Sequence, residues 1–482
     1  MGLVKDFSKI AGGSFVNLLI GLLTTPLITR MVEPEQYGNW SLFIIYGNVL
    51  SSILLMGTDY IIVRYYYEND SKSYKYLLTK WCFLTSIVAV LLSCVPIAIV
   101  IKLIRPCWSV LILILLVLSI LTNVVNRLVG LLLRFENSIN VLSLTTVLQK
   151  VLFVAIAITS LYCITGFNFE MLSIASLVSS VITVSVCLFF LSRLRTDVKK
   201  AGVICSLPKK EMLKYGFPLM ISGCSYLLFQ ATDKLVIGQY CSEADLGIYS
   251  SAASFLSLFG ILQSSFSTIW WPTVMRNYER NHEDKLLYVK ANDMVCFIMV
   301  VAGVTFILFK DVLILLLGEH FRGAVVVIPF IIFQPILYTI SETTVLGLNF
   351  QKKSKTQLYI TVSSLIFNIF LNIILTKLYG IVGTSVAVGL SYIFFLTVRT
   401  FASHRYYNIP FHFARMFISV LLLFVFAFMH TLMPRLFFTY ISVLFIYAVL
   451  LIMYRDVIYS LYLYFRKLAE SVFVSSNSTG DV

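Results

Sequence analysis

The chain has 482 residues, of which 59% are hydrophobic and only 12% are charged, and its mean hydropathy is +0.91. These values exclude an ordinary soluble protein and predict an all-α integral membrane protein. The formal net charge is +14, but the cations lie in short segments between apolar runs, so the sequence predicts no nucleic-acid partner.

Apolar runs of about 20 residues, the length that crosses a bilayer as a helix, recur along the whole chain. They predict about 14 transmembrane helices, at 12–31, 40–63, 77–101, 108–127, 141–164, 171–191, 215–238, 247–271, 291–309, 325–349, 358–376, 382–401, 414–433 and 437–458. The connecting segments on one side hold about four times as many Lys and Arg residues as those on the other. This bias predicts a multi-pass protein with both termini in the cytoplasm.

The spans predict two six-helix bundles and two extra C-terminal helices. The expected parts are an N-terminal six-helix bundle (1–191), a basic cytoplasmic linker (192–214), a C-terminal six-helix bundle (215–402), two additional transmembrane helices (403–458) and a cytoplasmic tail (459–482). A basic segment near the middle of a twelve-helix core commonly joins two halves.

A short internal repeat supports two related halves. The segment 33–38, which follows the first span, resembles the segment 242–247, which follows the seventh span and lies 209 residues later. Because an even number of crossings separates these spans, they run in the same direction. The repeat therefore predicts halves related by an axis along the membrane normal.

The first span, 12–31, is unusually polar for a helix in lipid. Asn17 and Thr25 share one face, leucines and isoleucines cover the other, and Arg30 ends the run. Such a face avoids lipid by lining a water-filled cavity or by packing against another helix. We expect it to form one wall of a translocation path, with helix packing as the alternative.

Charged residues in the following spans add positive charge to the N-terminal half. They are Asp59 and Arg64 near the inner end of the second span, Arg127 and Arg134 below the fourth, and Lys150 in the fifth. Arg127 and Arg134 are seven residues apart and share a helix face. A pair of guanidinium groups suits a phosphate or pyrophosphate ligand, and lipid headgroups are the alternative.

The second half carries polar side chains at depths where each needs a partner. The candidates for a binding path are Tyr226, Asp233, Lys234, Tyr338, Glu342 and Asn368. A buried carboxylate such as Glu342 either exchanges a proton or neutralises a cation permanently. Helix packing is the alternative for the polar stripes, and for Lys234 the alternative is extension of its side chain from the outer third of the span to the membrane surface.

Motifs for catalysis and cofactor binding are missing from the sequence. There is no GxxxxGK[ST] loop and no Gly-x-Ser-x-Gly nucleophile, the histidines have no metal-ligand spacing, and the nine cysteines include no CxxC pair. We therefore expect no catalytic residues, no metal and no cofactor. Protons and sodium both remain candidates for a coupling ion.

Three segments carry a family resemblance. NLLIGLLTTPLITRMVEPEQYGNWSLF, DKLVIGQYCSEADLGIYSSAASF and YGIVGTSVAVGLSY resemble polysaccharide transporters of the multidrug/oligosaccharidyl-lipid/polysaccharide exporter superfamily, and within it the O-antigen flippases (Wzx-type). The resemblance implies transfer of an undecaprenyl-pyrophosphate-linked oligosaccharide across the bacterial inner membrane by alternating access. It also makes a glycan polymerase and a chain-length regulator candidate partners, beside membrane lipid.

Two other functions are compatible with the class. A drug or small-cation antiporter of the same fold would favour an acidic path, whereas the spans predict a cationic one. A membrane glycan polymerase or ligase would need a sizeable outer loop, and the predicted loops are short. We therefore expect a transporter rather than an enzyme.

Overall fold

The computed structural model describes residues 20–21, 23–69, 71–136, 138–163, 169–194, 207–432 and 437–459. Within these ranges the chain is helical, with short connections and no β-strand. The helices are α1 (Pro34–Leu54), α2 (Thr58–Tyr65), α3 (Lys72–Ile104), α4 (Val110–Phe135), α5 (Ile139–Cys163), α6 (Phe169–Leu194), α7 (Lys209–Tyr240), α8 (Glu243–Ser254), α9 (Ser257–Arg280), α10 (Leu286–Leu308), α11 (Lys310–Ile314), α12 (Ile328–Ile331), α13 (Phe333–Thr344), α14 (Leu346–Phe350), α15 (Ser354–Tyr406), α16 (Phe413–Leu432) and α17 (Phe437–Met453), with a 3-10 helix at Glu319–Val326. Residues 23–29 are also helical.

Eight helices of the described ranges are long and apolar enough to cross a membrane, and the number rises to ten when two bent pairs are each taken as one span. The predicted all-α, multi-pass membrane protein is thus confirmed. The count of about 14 stays a prediction, partly because residues 12–19 of the first predicted span lie outside the described part. The spans predicted at 358–376 and 382–401 correspond to the two helical parts of α15, which are separated by a kink at Gly380, where φ is 57°.

Two of the predicted spans are broken helices. The span predicted at 40–63 consists of α1 and α2, bent by 53°, and the 3-10 helix and α12–α13 meet with a bend of 58° across the start of the span predicted at 325–349. Broken helices at membrane depth are tolerated where the freed backbone groups are buried in protein or line a cavity.

The chain divides into two compact units. The first contains the described residues of Met1–Ile261, Ile314–Ala324 and Thr361–Ala387, and the second contains those of Leu262–Leu313, Val325–Ile360 and Val388–Val482. These units are defined by helix packing and not by membrane topology. The order of membrane crossings and the two six-helix bundles therefore stay predictions.

In the first unit, α1 packs against α4, α7 and α8. Its contact with α8 is a contact between backbones: a β-carbon on Gly38 would overlap the carbonyl oxygen of Glu243, and one on Gly247 would overlap that of Pro34. Small residues allow such close approach where lipid provides no hydrophobic driving force between helices. The two glycines are therefore required by the packing of this helix pair.

The same contacts reveal a local two-fold relation. Gly38 corresponds to Gly247 under the 209-residue offset of the sequence repeat, and the two carbonyl oxygens they meet correspond in the same way. The Ser41 hydroxyl donates to the Ser250 hydroxyl at 2.9 Å, and these serines are also 209 residues apart. Residues on a two-fold axis meet their own equivalents. The sequence repeat is therefore present in the packing of α1 against α8.

The turn between α1 and α2 has left-handed backbone at two consecutive residues. Met56 has φ 50° and Gly57 has φ 77°. A β-carbon on Gly57 would also overlap the carbonyl oxygen of Gly216 on α7. Only glycine meets both requirements without strain. This turn ends α1 and sets the direction of α2.

In the second unit, α10 packs against α13, α16 and α17. A polar network near the starts of α10 and α16 and just beyond the end of α17 reinforces the contact. The buried Asp293 carboxylate lies 2.8 Å from Nδ1 of His412 and 3.2 Å from Arg415, and Arg415 also binds Asp456 at 3.0 Å. The network links α16 and the segment after α17 to α10.

The α1–α8 contact predicts different outcomes for two glycine substitutions. Gly38→Ala introduces a β-carbon against fixed backbone, and we expect a loss of about 1–3 kcal/mol in the free energy of unfolding. Gly260→Ala is the matched control, because nothing lies within 4 Å of its β-carbon position. Thermal denaturation of the purified protein in detergent measures both. Equal melting temperatures for the two variants would contradict the described packing.

Candidate functional site

A polar cavity of about 490 Å³ lies inside the first unit, among α1, α2, α4, α5, α6 and α7. Its neutral polar lining consists of carboxamide and hydroxyl side chains: Asn48, Ser51, Ser52, Tyr60, Asn123, Asn126, Thr145, Thr146, Gln149, Thr183 and Tyr226. Each of these groups belongs to one of the six helices around the cavity. Buried polar groups need hydrogen-bonding partners, so such a lining suits water or a polar ligand.

The charged side chains of the lining are Asp59, Arg127 and Arg134. One guanidinium nitrogen of Arg127 lies 3.5 Å from a carboxylate oxygen of Asp59. The Asp59 side chain is 9% exposed, whereas that of Arg127 is 57% exposed. Arg134 is exposed as well. The cavity thus has one buried carboxylate and two accessible guanidinium groups.

Helical spacing on α4 places both arginines at the cavity. Asn123, Arg127, Gly130 and Arg134 follow one another at intervals of four, three and four residues, and all four line it. The other faces of α4 are apolar, and Leu128 among others is fully buried. The amphipathic pattern of α4 therefore orients the arginines.

Hydrogen bonds hold part of the wall in place. The Gln149 side chain donates to the Ser180 hydroxyl at 2.8 Å, and the Ser51 hydroxyl donates to the backbone carbonyl of Asn48 at 2.9 Å. Gln230 donates to the Tyr226 hydroxyl at 2.9 Å. These bonds fix the side chains of α1, α5 and α7 that surround the arginines.

A glycine on α7 makes room for an aromatic side chain of the cavity. The Tyr60 hydroxyl lies 2.5 Å from the position of a β-carbon on Gly223. Tyr60 follows Asp59 on α2, so the turn at Met56 and Gly57 sets the position of both side chains. The broken helix thereby supplies an acidic and an aromatic group to one cavity.

Three predicted site residues, Asp59, Arg127 and Tyr226, meet at this cavity. Arg30 lines a second cavity of the first unit, about 580 Å³ in volume, together with His320 and Arg322. The structure therefore places Arg30 in a different cavity from Arg127 and Arg134.

Other predicted residues of the first unit use their polar atoms in helix packing. Asp233 is buried and accepts hydrogen bonds from the Tyr249 hydroxyl at 2.7 Å and from the backbone N–H of Lys234 at 2.8 Å. Asn368 is buried and donates to the carbonyl of Phe229 at 3.0 Å. Thr25 is buried too. These contacts match the alternative of helix packing that the sequence left open.

The remaining candidates of the first unit lie elsewhere. Lys150 is half-buried, and its ammonium group lies 3.1 Å from the β-carbon position of Gly21. Lys234 is half-buried, and Arg64 is exposed with its guanidinium 5.8 Å from the ring centroid of Tyr65. Asn17 lies outside the described residues.

Tyr338 and Glu342 belong to the second unit. The Tyr338 ring stacks on Phe395 with centroids 6.2 Å apart, and the guanidinium of Arg399 lies 5.5 Å from the Tyr338 ring centroid. Glu342 is buried and accepts a hydrogen bond from Ser267. Its carboxylate is therefore a partner in the packing of α9 against α13.

Several lining residues were not among the predicted site residues. Asn48, Ser51 and Ser52 on α1 and Thr145 and Gln149 on α5 all line the cavity. Asn48 lies three and four residues before Ser51 and Ser52, and Thr145 lies four residues before Gln149. Such spacing is the signal that one face of a span avoids lipid. Among the described residues, no group of His, Cys, Asp and Glu side chains has the arrangement of a metal site.

Comparisons with known proteins agree with this architecture. The model of the family described as "Polysaccharide biosynthesis protein" matches residues 27–326. A curated relative, the probable low-salt glycan biosynthesis flippase Agl15 of Haloferax volcanii, is 23% identical over 232 residues, which is 47% of this chain and 48% of that protein. The matched segment thus spans about half the length of this relative.

Solved structures share the fold. The lipid II flippase MurJ in an inward closed conformation superposes with a TM-score of 0.68 at 18% identity, over 93% of this chain and 99% of that chain. An inward-facing multidrug resistance MATE family transporter of the MOP superfamily superposes with a TM-score of 0.61 at 17% identity, over 82% of this chain and 94% of that chain. A third structure is a MOP superfamily transporter from Pyrococcus furiosus, described as having a binding pocket of reverse polarity. It superposes with a TM-score of 0.52 at 16% identity, over 83% of this chain and 95% of that chain.

These matches confirm the family resemblance carried by the sequence motifs. The family match extends from the helix before α1 to the 3-10 helix and so includes every residue that lines the polar cavity. The chain is a multi-pass membrane protein that belongs to the polysaccharide biosynthesis protein family and has the fold of the MOP superfamily transporters.

Proposed function

We propose that the chain is a flippase for a lipid-linked glycan, an oligosaccharide repeat unit carried on undecaprenyl pyrophosphate. The observation that carries the proposal is the polar cavity with two accessible guanidinium groups on one face of α4. The cavity lies in a chain of the polysaccharide biosynthesis family, and a flippase is among its relatives. The transported unit moves from the cytoplasmic to the periplasmic leaflet.

The arginines suit the diphosphate of such a lipid. Arg127 and Arg134 are seven residues apart on one helix face, which corresponds to about 10 Å along the axis. Guanidinium groups bind phosphate oxygens through paired N–H donors. In this proposal the two residues bind the diphosphate from one wall.

The neutral lining suits the sugar. Carboxamide side chains such as Asn48, Asn126 and Gln149 both donate and accept hydrogen bonds, as sugar hydroxyls do. A volume of about 490 Å³ lies within the range of about 300–1,000 Å³ that is common for ligand pockets. The lipid chain would remain in the bilayer, so the cavity has to accept only the polar head.

The finer parts of the proposal follow from the sequence. The excess of basic residues on one side of the predicted spans supports cytoplasmic termini. The resemblance to O-antigen flippases supports a location in the bacterial inner membrane. Two six-helix bundles that rock against each other would expose the substrate alternately to the two leaflets, without catalysis by the protein. O-antigen repeat units are the proposed cargo, with a glycan polymerase and a chain-length regulator as downstream partners.

A drug antiporter is the alternative, because a multidrug transporter shares the fold. A cavity for cationic drugs would need accessible carboxylates. Among the described residues that line the polar cavity, Asp59 is the only acidic one, and it is paired with Arg127. The charge of this cavity therefore favours an anionic substrate.

The proposal predicts that both cavity arginines are needed for export. Hydrogen bonds to charged groups contribute about 1.5–3 kcal/mol each, so Arg127→Ala and Arg134→Ala should each weaken lipid-diphosphate binding by about tenfold or more. Cells carrying the double variant should accumulate a single lipid-linked repeat unit and lose long-chain polysaccharide. Mass spectrometry of extracted lipids and gel electrophoresis of surface glycan measure the two effects.

The matched control is Arg405→Ala, which removes an exposed arginine outside the cavity. It should export normally at the same protein level in the membrane. Normal export by the double cavity variant would refute the role of the polar cavity.

Water access to the cavity gives a second prediction. In a variant without native cysteines, Asn126→Cys should react with a water-soluble thiol reagent, because Asn126 lines the cavity. Leu128→Cys is the control on the same helix, since Leu128 is fully buried. If Asn126→Cys reacts as little as Leu128→Cys, this face of α4 packs against protein and not against water.

A further inference from the structure

Among the described residues that line the polar cavity, Asp59 is the one whose charge opposes an anionic ligand. We propose that Asp59 is a built-in competitor of the ligand diphosphate: it binds Arg127 when no anion is present, and the diphosphate displaces it. This inference rests on the proposed function and deepens it, because it names the charge of the ligand as the property that the site recognises. Asp59 is a positioning residue here, since it acts through Arg127.

The contact between the two side chains is suited to exchange. A guanidinium nitrogen of Arg127 lies 3.5 Å from a carboxylate oxygen of Asp59, which is longer than a strong charge-assisted hydrogen bond. The guanidinium has five N–H donors, and more than half of the Arg127 side chain is exposed. Donors therefore remain available for an entering anion while the ion pair is still formed.

The carboxylate is held and the guanidinium is free to turn. Asp59 follows the left-handed turn at Met56 and Gly57, and Gly57 lies against the backbone of Gly216. The Thr58 hydroxyl is 2.8 Å from that of Ser86 on α3. With α2 fixed in this way, exchange of partners requires movement of the long, exposed Arg127 side chain and not of Asp59.

The α1–α2 turn, which positions Asp59, includes a non-glycine residue in the left-handed region of backbone conformation. Met56 is a non-glycine residue at φ 50°. Such conformations persist where the surroundings determine them, and they occur often at ligand sites. The α1–α2 turn thus places a carboxylate opposite the arginine face of α4 at the expense of local backbone strain.

The charge of the ligand determines whether it displaces Asp59 from Arg127. A diphosphate with several negative charges outcompetes a single carboxylate for Arg127 and also reaches Arg134. A neutral headgroup gains nothing by displacing Asp59, and a monophosphate gains less. After the ligand leaves, Asp59 binds Arg127 again, which favours release. The pair therefore selects diphosphate lipids and limits how tightly they bind.

Binding of undecaprenyl pyrophosphate and undecaprenyl phosphate to the full-length protein in nanodiscs tests this inference. Asp59→Asn removes the competing charge and keeps the shape, so it should bind the diphosphate lipid about tenfold tighter. It should also lose selectivity over the monophosphate and export polysaccharide more slowly in cells. A merely structural role of Asp59 would lower thermal stability without tightening binding.

Two variants serve as comparisons. Glu211→Gln removes an exposed carboxylate on α7 outside the cavity and should bind like the wild type. Asp59→Glu keeps the charge and reaches further toward Arg127, so it should bind the diphosphate lipid no more tightly than the wild type. If Asp59→Asn does not fold, tighter binding by Asp59→Glu would overturn the inference.

The outcomes separate this inference from the proposed function. No binding of either lipid by the wild type would contradict the proposed function itself. Diphosphate binding by the wild type that is unchanged or weaker in Asp59→Asn would overturn only the role of Asp59. Tighter binding together with slower export would support it.

Discussion

Close approach of helix backbones is the constraint on which the first unit depends. Lipid solvates apolar side chains as well as a neighbouring helix does, so helices in a membrane associate through packing and polar contacts. α1 meets α8 through Gly38 and Gly247, and the turn after α1 meets α7 through Gly57 and Gly216. These contacts hold the α1–α2 segment against its neighbours at both ends.

The polar cavity follows from this arrangement. Because α1 stops at Leu54 and the turn redirects α2, Asp59 comes to lie opposite the arginine face of α4. An uninterrupted helix would continue the direction of α1 and place these side chains elsewhere. The polar groups of the cavity can form hydrogen bonds with one another, with water or with a ligand. On a surface that faces lipid they would have no such partners.

Helical periodicity was enough to predict part of the site. Arg127 and Arg134 fall on one face of α4 by spacing alone, and both line the cavity. Hydropathy could not distinguish a cavity wall from a helix contact, so Asp233 and Asn368, which hydrogen-bond to neighbouring segments, looked the same as lining residues. The break before Asp59 could not be predicted, since it depends on contact with Gly216, far along the chain.

We propose that this chain moves a diphosphate-linked glycan lipid between leaflets. The most direct test uses the purified protein in proteoliposomes with a fluorescent undecaprenyl-pyrophosphate oligosaccharide, and an impermeant quencher that reports the leaflet. We predict transfer well above the rate in protein-free liposomes, and slower transfer of a monophosphate analogue. Transfer no faster than in protein-free liposomes, with or without an ion gradient, would contradict the account.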